Sequence, residues 1–220
     1  MCVKKCKKYI NETKKERNTM KHLIIYAHPN PLSFCHAIQE TVQQTLQSQG
    51  HEVVVRDLYQ LSFNPVLSGS DFEAFSSGTT LPSDIQAEQD YIRWAEVITW
   101  IYPIWWAGMP AMLKGYIDRV FSYGFAYAPD GAGGYQKLLA GKKALVLHTQ
   151  GQEERYYEEN GMKNSITQIS DQGIFDFCGI EVLDHFFFGA VPFVDDSTRK
   201  AMLGTVEQVL HQHFAQELKK

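Results

Sequence analysis

The sequence predicts a doubly wound α/β domain whose five parallel strands lie in the order 2-1-3-4-5. Three observations carry that expectation. Strand-like and helix-like patterns alternate five times along the chain. The strand-like runs are continuously apolar, as in a parallel sheet covered by helices on both faces. Residues 97–121 pass from such a run through a short turn into a helix with one apolar face, which reads as a central strand and its crossover.

Residues His22–Ala27 (HLIIYA) form the first short apolar run. A turn at His28–Leu32 leads to Ser33, a good N-cap for a helix over Phe34–Gln49 that Gly50 ends. Glu52–Asp57 (EVVVRD) is the second strand. Residues 58–83 read as a long connection, and loops of that length often border a site. Ser83 or Asp84 caps a helix through Trp94. Val97–Tyr102 is the central strand, Pro103–Gly108 its turn, and Pro110 opens the next helix, where a missing N–H costs nothing. Phe121–Tyr135 reads as a second long loop, Lys142–Thr149 as the fourth strand and Gln150–Gly161 as a loop. A helix is expected from about Met162 to Cys178, a fifth strand within Ile180–Ala190, and an amphipathic helix over Ser197–Lys219.

The 220 residues suffice for one domain with a sizeable core, and 13% aromatic with 44% hydrophobic content argues against disorder. No apolar run reaches the roughly 18 residues a membrane span needs. The cysteines Cys2, Cys6, Cys35 and Cys178 have neither disulfide-framework nor zinc spacing, which points to a reducing cytoplasm. Residues 1–19 carry a net charge of +5 and the other residues −9. An acidic body lacks the cations a phosphate backbone requires, so no nucleic-acid partner is expected. The basic segment has no signal-peptide core, and Met20-Lys21 before the first strand suggests a mis-assigned start. Residues 1–19 are therefore expected to be a dispensable tail, and 20–220 the domain.

Three loops leave the carboxyl ends of strands one, three and four, where open α/β sheets bind ligands. HPNPLSF ends at a helix N-terminus suited to phosphate, although it lacks the dinucleotide glycines and the Walker lysine. YPIWWAG offers Trp105 and Trp106 as flat surface. HTQGQEERYY offers Thr149, Gly151 and the hydroxyls of Tyr156 and Tyr157. Together they suit a flavin. No G-x-S-x-G elbow is present, His148 reads as a structural histidine, and His211 and His213 as solvent-facing.

With these stretches in view, the chain resembles the NAD(P)H quinone reductase (DT-diaphorase) family of flavodoxin-like flavoproteins. The resemblance runs from about Lys21 to the terminal helix. It is carried by AHPNPLSF (27–34), FNPVLSGSDF (63–72), PIWWAGMPAMLKGYIDRVF (103–121), GFAY (124–127), HTQGQEERYY (148–157) and FCGIEVL (177–183). It implies a homodimer with a flavin in each protomer, passing hydride from NADH or NADPH to a quinone. By motif match His28, Ser33, Phe34 and the adjoining Cys35 would hold the flavin phosphates, with Arg199 at their far end. Pro103, Ile104, Trp105 and Trp106 would line the isoalloxazine, and Thr149, Gln150 and Gly151 would close its other edge. Tyr156 would be the catalytic donor beside N1 and O2, and Tyr123, Tyr127 and Ala107 would border the substrate. FAD is the cofactor the Ser33-Phe34 and Arg199 matches imply, and FMN the alternative used by shorter relatives.

Three positions depart from the animal members. Met162 stands where they have a histidine six residues after the tyrosine, Cys35 where they have asparagine, and Ala107 where they have an aromatic residue. Their long C-terminal extension is absent. Two rival readings exist: an ancillary subunit of a potassium-efflux transporter, which would bind nucleotide without turnover, and a one-electron carrier flavodoxin, which would stabilise a blue semiquinone.

Overall fold

A computed structural model describes residues 19–215; the tail expected over residues 1–19 lies almost entirely outside that range. The chain runs β1 (Lys21–Tyr26), α1 (Phe34–Ser48), β2 (Glu52–Asp57), α2 (Gly69–Ser77), α3 (Ser83–Trp94), β3 (Val97–Pro103) and α4 (Ala111–Val120). It continues β4 (Tyr127–Pro129), β5 (Tyr135–Lys137), β6 (Lys143–Thr149), α5 (Glu154–Glu159), α6 (Met162–Thr167), β7 (Glu181–Phe188) and α7 (Asp196–Phe214). Between α6 and β7 the helix widens into a π-helical stretch, Gln168–Asp176.

The main sheet is parallel, in the order β2-β1-β3-β6-β7, which is the expected 2-1-3-4-5 arrangement. Its continuous apolar runs follow from burial on both faces. Ile24, Tyr26, Ile101, Leu145 and Leu147 pack against Ile38, Val42, Leu46, Val206 and Leu210 of α1 and α7. Leu23, Ile25, Trp100, Tyr102 and Val146 face the opposite way, onto Leu113, Tyr116 and Phe175. Fully burying each such side chain stabilises the fold by about 1.5–3 kcal/mol.

Four local expectations need correction. The connection 58–83 contains α2, closed at its start by a capping box: Ser68 accepts from the Asp71 amide and Asp71 from the Ser68 amide. The loop 121–135 leads into a β4–β5 hairpin, turned by Asp130, whose Oδ1 accepts from the Ala132 and Gly134 amides. The loop 150–161 contains α5. Ser83 is the first residue of α3 and does not cap it; Pro82 stands at the N-cap without a side-chain bond.

Buried and half-buried ion pairs brace α3 and α4. The Arg119 guanidinium donates to Asp71 (2.9 Å), Asp84 (2.6 Å) and the Asn64 carbonyl (2.8 Å). Arg56 pairs with Glu88, which also accepts from the Tyr116 hydroxyl. No helix among the described residues is long and apolar enough to cross a membrane.

Candidate active site

A cleft of about 450 Å³ opens at the carboxyl ends of β1, β3 and β6, beside the switch point of the strand order. The β1–α1 loop supplies His28, Asn30, Ser33, Phe34 and Cys35; the end of β3 supplies Pro103, Ile104 and Trp105. Thr149, Gln150 and Gly151 come from the end of β6, and Val191 with Pro192 from the loop after β7. Thus ten of the residues expected to hold a cofactor meet in one place.

The loop is built to leave donors free. Asn30 accepts the Leu32 amide on its side chain and the Ser33 amide on its carbonyl, which tightens HPNPL into a turn. Ser33 Oγ then accepts the His36 amide (3.2 Å) and starts α1. In the first helical turn the Phe34 and Cys35 amides have no intrahelical acceptor, and no acidic residue stands there to oppose an anion. His28 Nδ1 accepts the Asn30 amide (3.0 Å), so the ring proton sits on Nε2. Burial holds the His28 pKa down, which leaves a neutral ring with an Nε2–H donor. Cys35 Sγ lies 3.0 Å from Thr149 Oγ1, and burial pushes its thiol up to about 12. A neutral thiol there presents no charge to a phosphate.

The β3–α4 turn departs from the expectation of two indole walls. Trp105 and Gly108 exchange both backbone hydrogen bonds at 3.1 Å, and Trp106 and Ala107 between them have φ of 51° and 59°. Two successive left-handed residues make a type I′ turn, at a cost of about 1–2 kcal/mol per non-glycine residue. Its geometry turns Trp106 out to full exposure, and only the half-exposed Trp105 lines the cleft, its ring 5.7 Å from that of His28.

The other candidates lie apart. Arg199 sits in the first turn of α7, pairs with Asp196 and does not border the cleft. Tyr123 and Tyr127 border a different cavity, of about 470 Å³, with Phe72, Phe75 and Phe121. Tyr156 is half-exposed on α5, whereas its neighbour Tyr157 packs with Met162, Ile166 and Phe187 against Ile104. His213 is not solvent-facing as expected, but partly buried and bonded to Asp184 (2.8 Å). Asn30, Val191 and Pro192 were missing from the candidates. Val191 and Pro192 follow a parallel strand at its ligand-binding end, a signal the sequence carries.

The cleft fits a flavin nucleotide. It joins free helix amides, a neutral imidazole donor and an indole face. Gln150 adds an unsatisfied acceptor: its Nε2 donates to the Gln152 carbonyl, and its buried Oε1 has no donor among the described residues. A family model described as flavodoxin-like fold matches residues 20–211. The chain is 43% identical over 190 residues to a Haemophilus influenzae protein described as an uncharacterized NAD(P)H oxidoreductase, covering 86% of this chain and 93% of that one. It belongs to the flavodoxin-like NAD(P)H quinone reductase family.

The human ribosyldihydronicotinamide dehydrogenase [quinone] is another relative, 32% identical over 217 residues, with 90% and 93% of the two chains covered. Among solved structures, the NAD(P)H:quinone oxidoreductase from Methanothermobacter marburgensis superposes with a TM-score of 0.78 at 31% identity, covering 89% of this chain and 98% of that one. An FMN-dependent NADH-azoreductase from Bacillus anthracis, in complex with FMN, shares the fold at 18% identity, with a TM-score of 0.70 and coverage of 88% and 99%.

Proposed function

We propose that this protein is a flavin-dependent NAD(P)H dehydrogenase (quinone) that reduces quinones or similar acceptors by two electrons. NADH or NADPH gives up a hydride, solvent gives up one proton, and the products are NAD(P)⁺ and the hydroquinone. The observation that carries the reading is the cleft itself, with α1 amides, the His28 Nε2–H and the Trp105 face on its walls. A bound flavin supplies a two-electron carrier that both substrates use in turn.

The protein's own groups do the rest. The Phe34 and Cys35 amides and His28 hold phosphate oxygens. Trp105 and Ile104 form an apolar wall that keeps stacked rings in near-contact and excludes water. Tyr156 is the hydroxyl proposed to donate where negative charge grows during transfer. FAD is the proposed nucleotide, supported by a cleft that extends beyond the helix amides to Val191 and Pro192 in the loop after β7. The proposed homodimer is supported by the part-exposed Phe72, Tyr123 and Tyr127, whose aromatic surface a second protomer would cover.

The test combines nucleotide oxidation with menadione as acceptor and chromatography of released flavin. Tyr156→Phe is expected to lower kcat by on the order of tenfold while the flavin stays bound. Unchanged turnover would remove Tyr156 from the mechanism; release of FMN would reassign the nucleotide alone. No turnover with any acceptor would overturn the reading.

A further inference from the structure

Behind the cleft, three polar residues from three elements form one buried chain. The Asp171 carboxylate, in the π-helical stretch, accepts from His185 Nδ1–H of β7 at 2.9 and 3.0 Å. Ser170 Oγ donates to the same carboxylate (2.7 Å). His185 Nε2 lies 3.0 Å from His148 Nε2, on β6 directly before Thr149. A carboxylate only accepts, so His185 carries its proton on Nδ1. In the tautomer that has its proton on Nδ1 alone, Nε2 is bare and accepts from His148 Nε2–H. Burial holds the His148 pKa down, so the donor is a neutral ring with its proton on Nε2. Asp171 thereby fixes the tautomers of both histidines in series.

The surroundings make that chain costly. Tyr102 packs on His148 and Phe187 on both histidines, and apolar side chains of similar size would fill the same space at lower cost. What the chain adds is a single seated position. If the π-helical stretch lifts from β7, His185 Nδ1–H loses its carboxylate acceptor, so intermediate positions are penalised. The same stretch continues from α5 and α6, the arm that carries Tyr156. The arm's inner face rests on Ile104, a wall of the cleft, through Tyr157, Met162 and Ile166. Nine residues of π-helix are themselves uncommon, and such turns recur at functional sites.

We propose that Asp171, His185 and His148 are positioning residues that seat the Glu154–Thr167 arm at the cleft and so set the placement of Tyr156. This rests on the role given to Tyr156 above. Hydrogen exchange, compared between the FAD-supplied wild type and Asp171→Ala, tests the seating independently of turnover. Amides of Glu154–Thr167 are expected to exchange on the order of tenfold faster in the variant, with β1 and β3 unchanged. Asp171→Asn, which keeps an acceptor oxygen, restores most of the protection. Unchanged exchange in the arm, or an equal rise in β1 and β3, overturns the proposal.

A double-mutant cycle then reads the consequence at the site. Asp171→Ala is expected to lower kcat with little change in the KM for menadione, and the loss is expected to vanish in a Tyr156→Phe background. Additive losses would overturn the positioning role. If Tyr156→Phe alone leaves turnover intact, the role of Tyr156 fails while the exchange result still decides the seating. Should Asp171→Ala fail to fold, His185→Gln takes its place in both measurements.

Discussion

His22 offers a sharp test of how this fold responds to acid. Its ring is fully buried at the start of β1, 4.9 Å from the ring of His51 and 4.7 Å from that of Phe214. Neither ring nitrogen has a hydrogen-bond partner among the described residues. Burial, reinforced by His51, lowers its pKa from 6.5 to about 3. The unfolded chain therefore binds a proton at His22 below pH 6.5 that the folded chain refuses until about pH 3. The stability tied to the neutral ring is present above 6.5 and falls by about 1.4 kcal/mol per pH unit through that window. Between pH 7 and pH 5 the loss is about 2 kcal/mol. The assay is urea denaturation at both pH values, with protein and flavin concentrations fixed, on the wild type and His22→Leu. Leucine has a similar volume and cannot titrate, so the variant is expected to lose about 2 kcal/mol less than the wild type over this interval. Equal losses in both proteins would refute the reasoning.

Two further predictions concern the frame that holds the β3–α4 crossover. A Cβ at Gly115 would lie 2.0 Å from the Pro65 carbonyl oxygen, so Gly115→Ala is expected to destabilise by about 1–3 kcal/mol in thermal unfolding, although helix propensity alone favours alanine by about 1 kcal/mol. Arg119→Met strands the buried Asp71 and is expected to cost about 3–5 kcal/mol in urea unfolding, most of it recovered by adding Asp71→Leu.

The sheet was legible because burial on both faces leaves its central strands almost wholly apolar. The cleft was legible because parallel strands bring their carboxyl-end loops together, which made candidates of Ser33, Trp105 and Thr149, while the family resemblance added His28 and Pro103. Short elements escaped: β4 and β5 have three residues each, and α5 has six, too few for a period to emerge. The signal for α2 was present in Ser68 and Asp71, a capping box without a strong apolar stripe behind it. Trp105 and Trp106 read as equivalent, but a type I′ turn sends adjacent side chains to different surroundings. The Asp171–His185–His148 chain could not be read at all. It depends on a helix of non-standard pitch and on the pairing of β6 with β7 across a register shift.

The central claim is that the cleft at the ends of β1, β3 and β6 holds a flavin that exchanges electrons with nicotinamide. The most direct measurement is the visible absorption of gel-filtered, FAD-supplied protein during anaerobic addition of NADH or NADPH and then menadione. Retained flavin whose colour bleaches with the nucleotide and returns with the quinone is the expected result. Flavin that washes away, or colour that no nucleotide bleaches, would contradict the account.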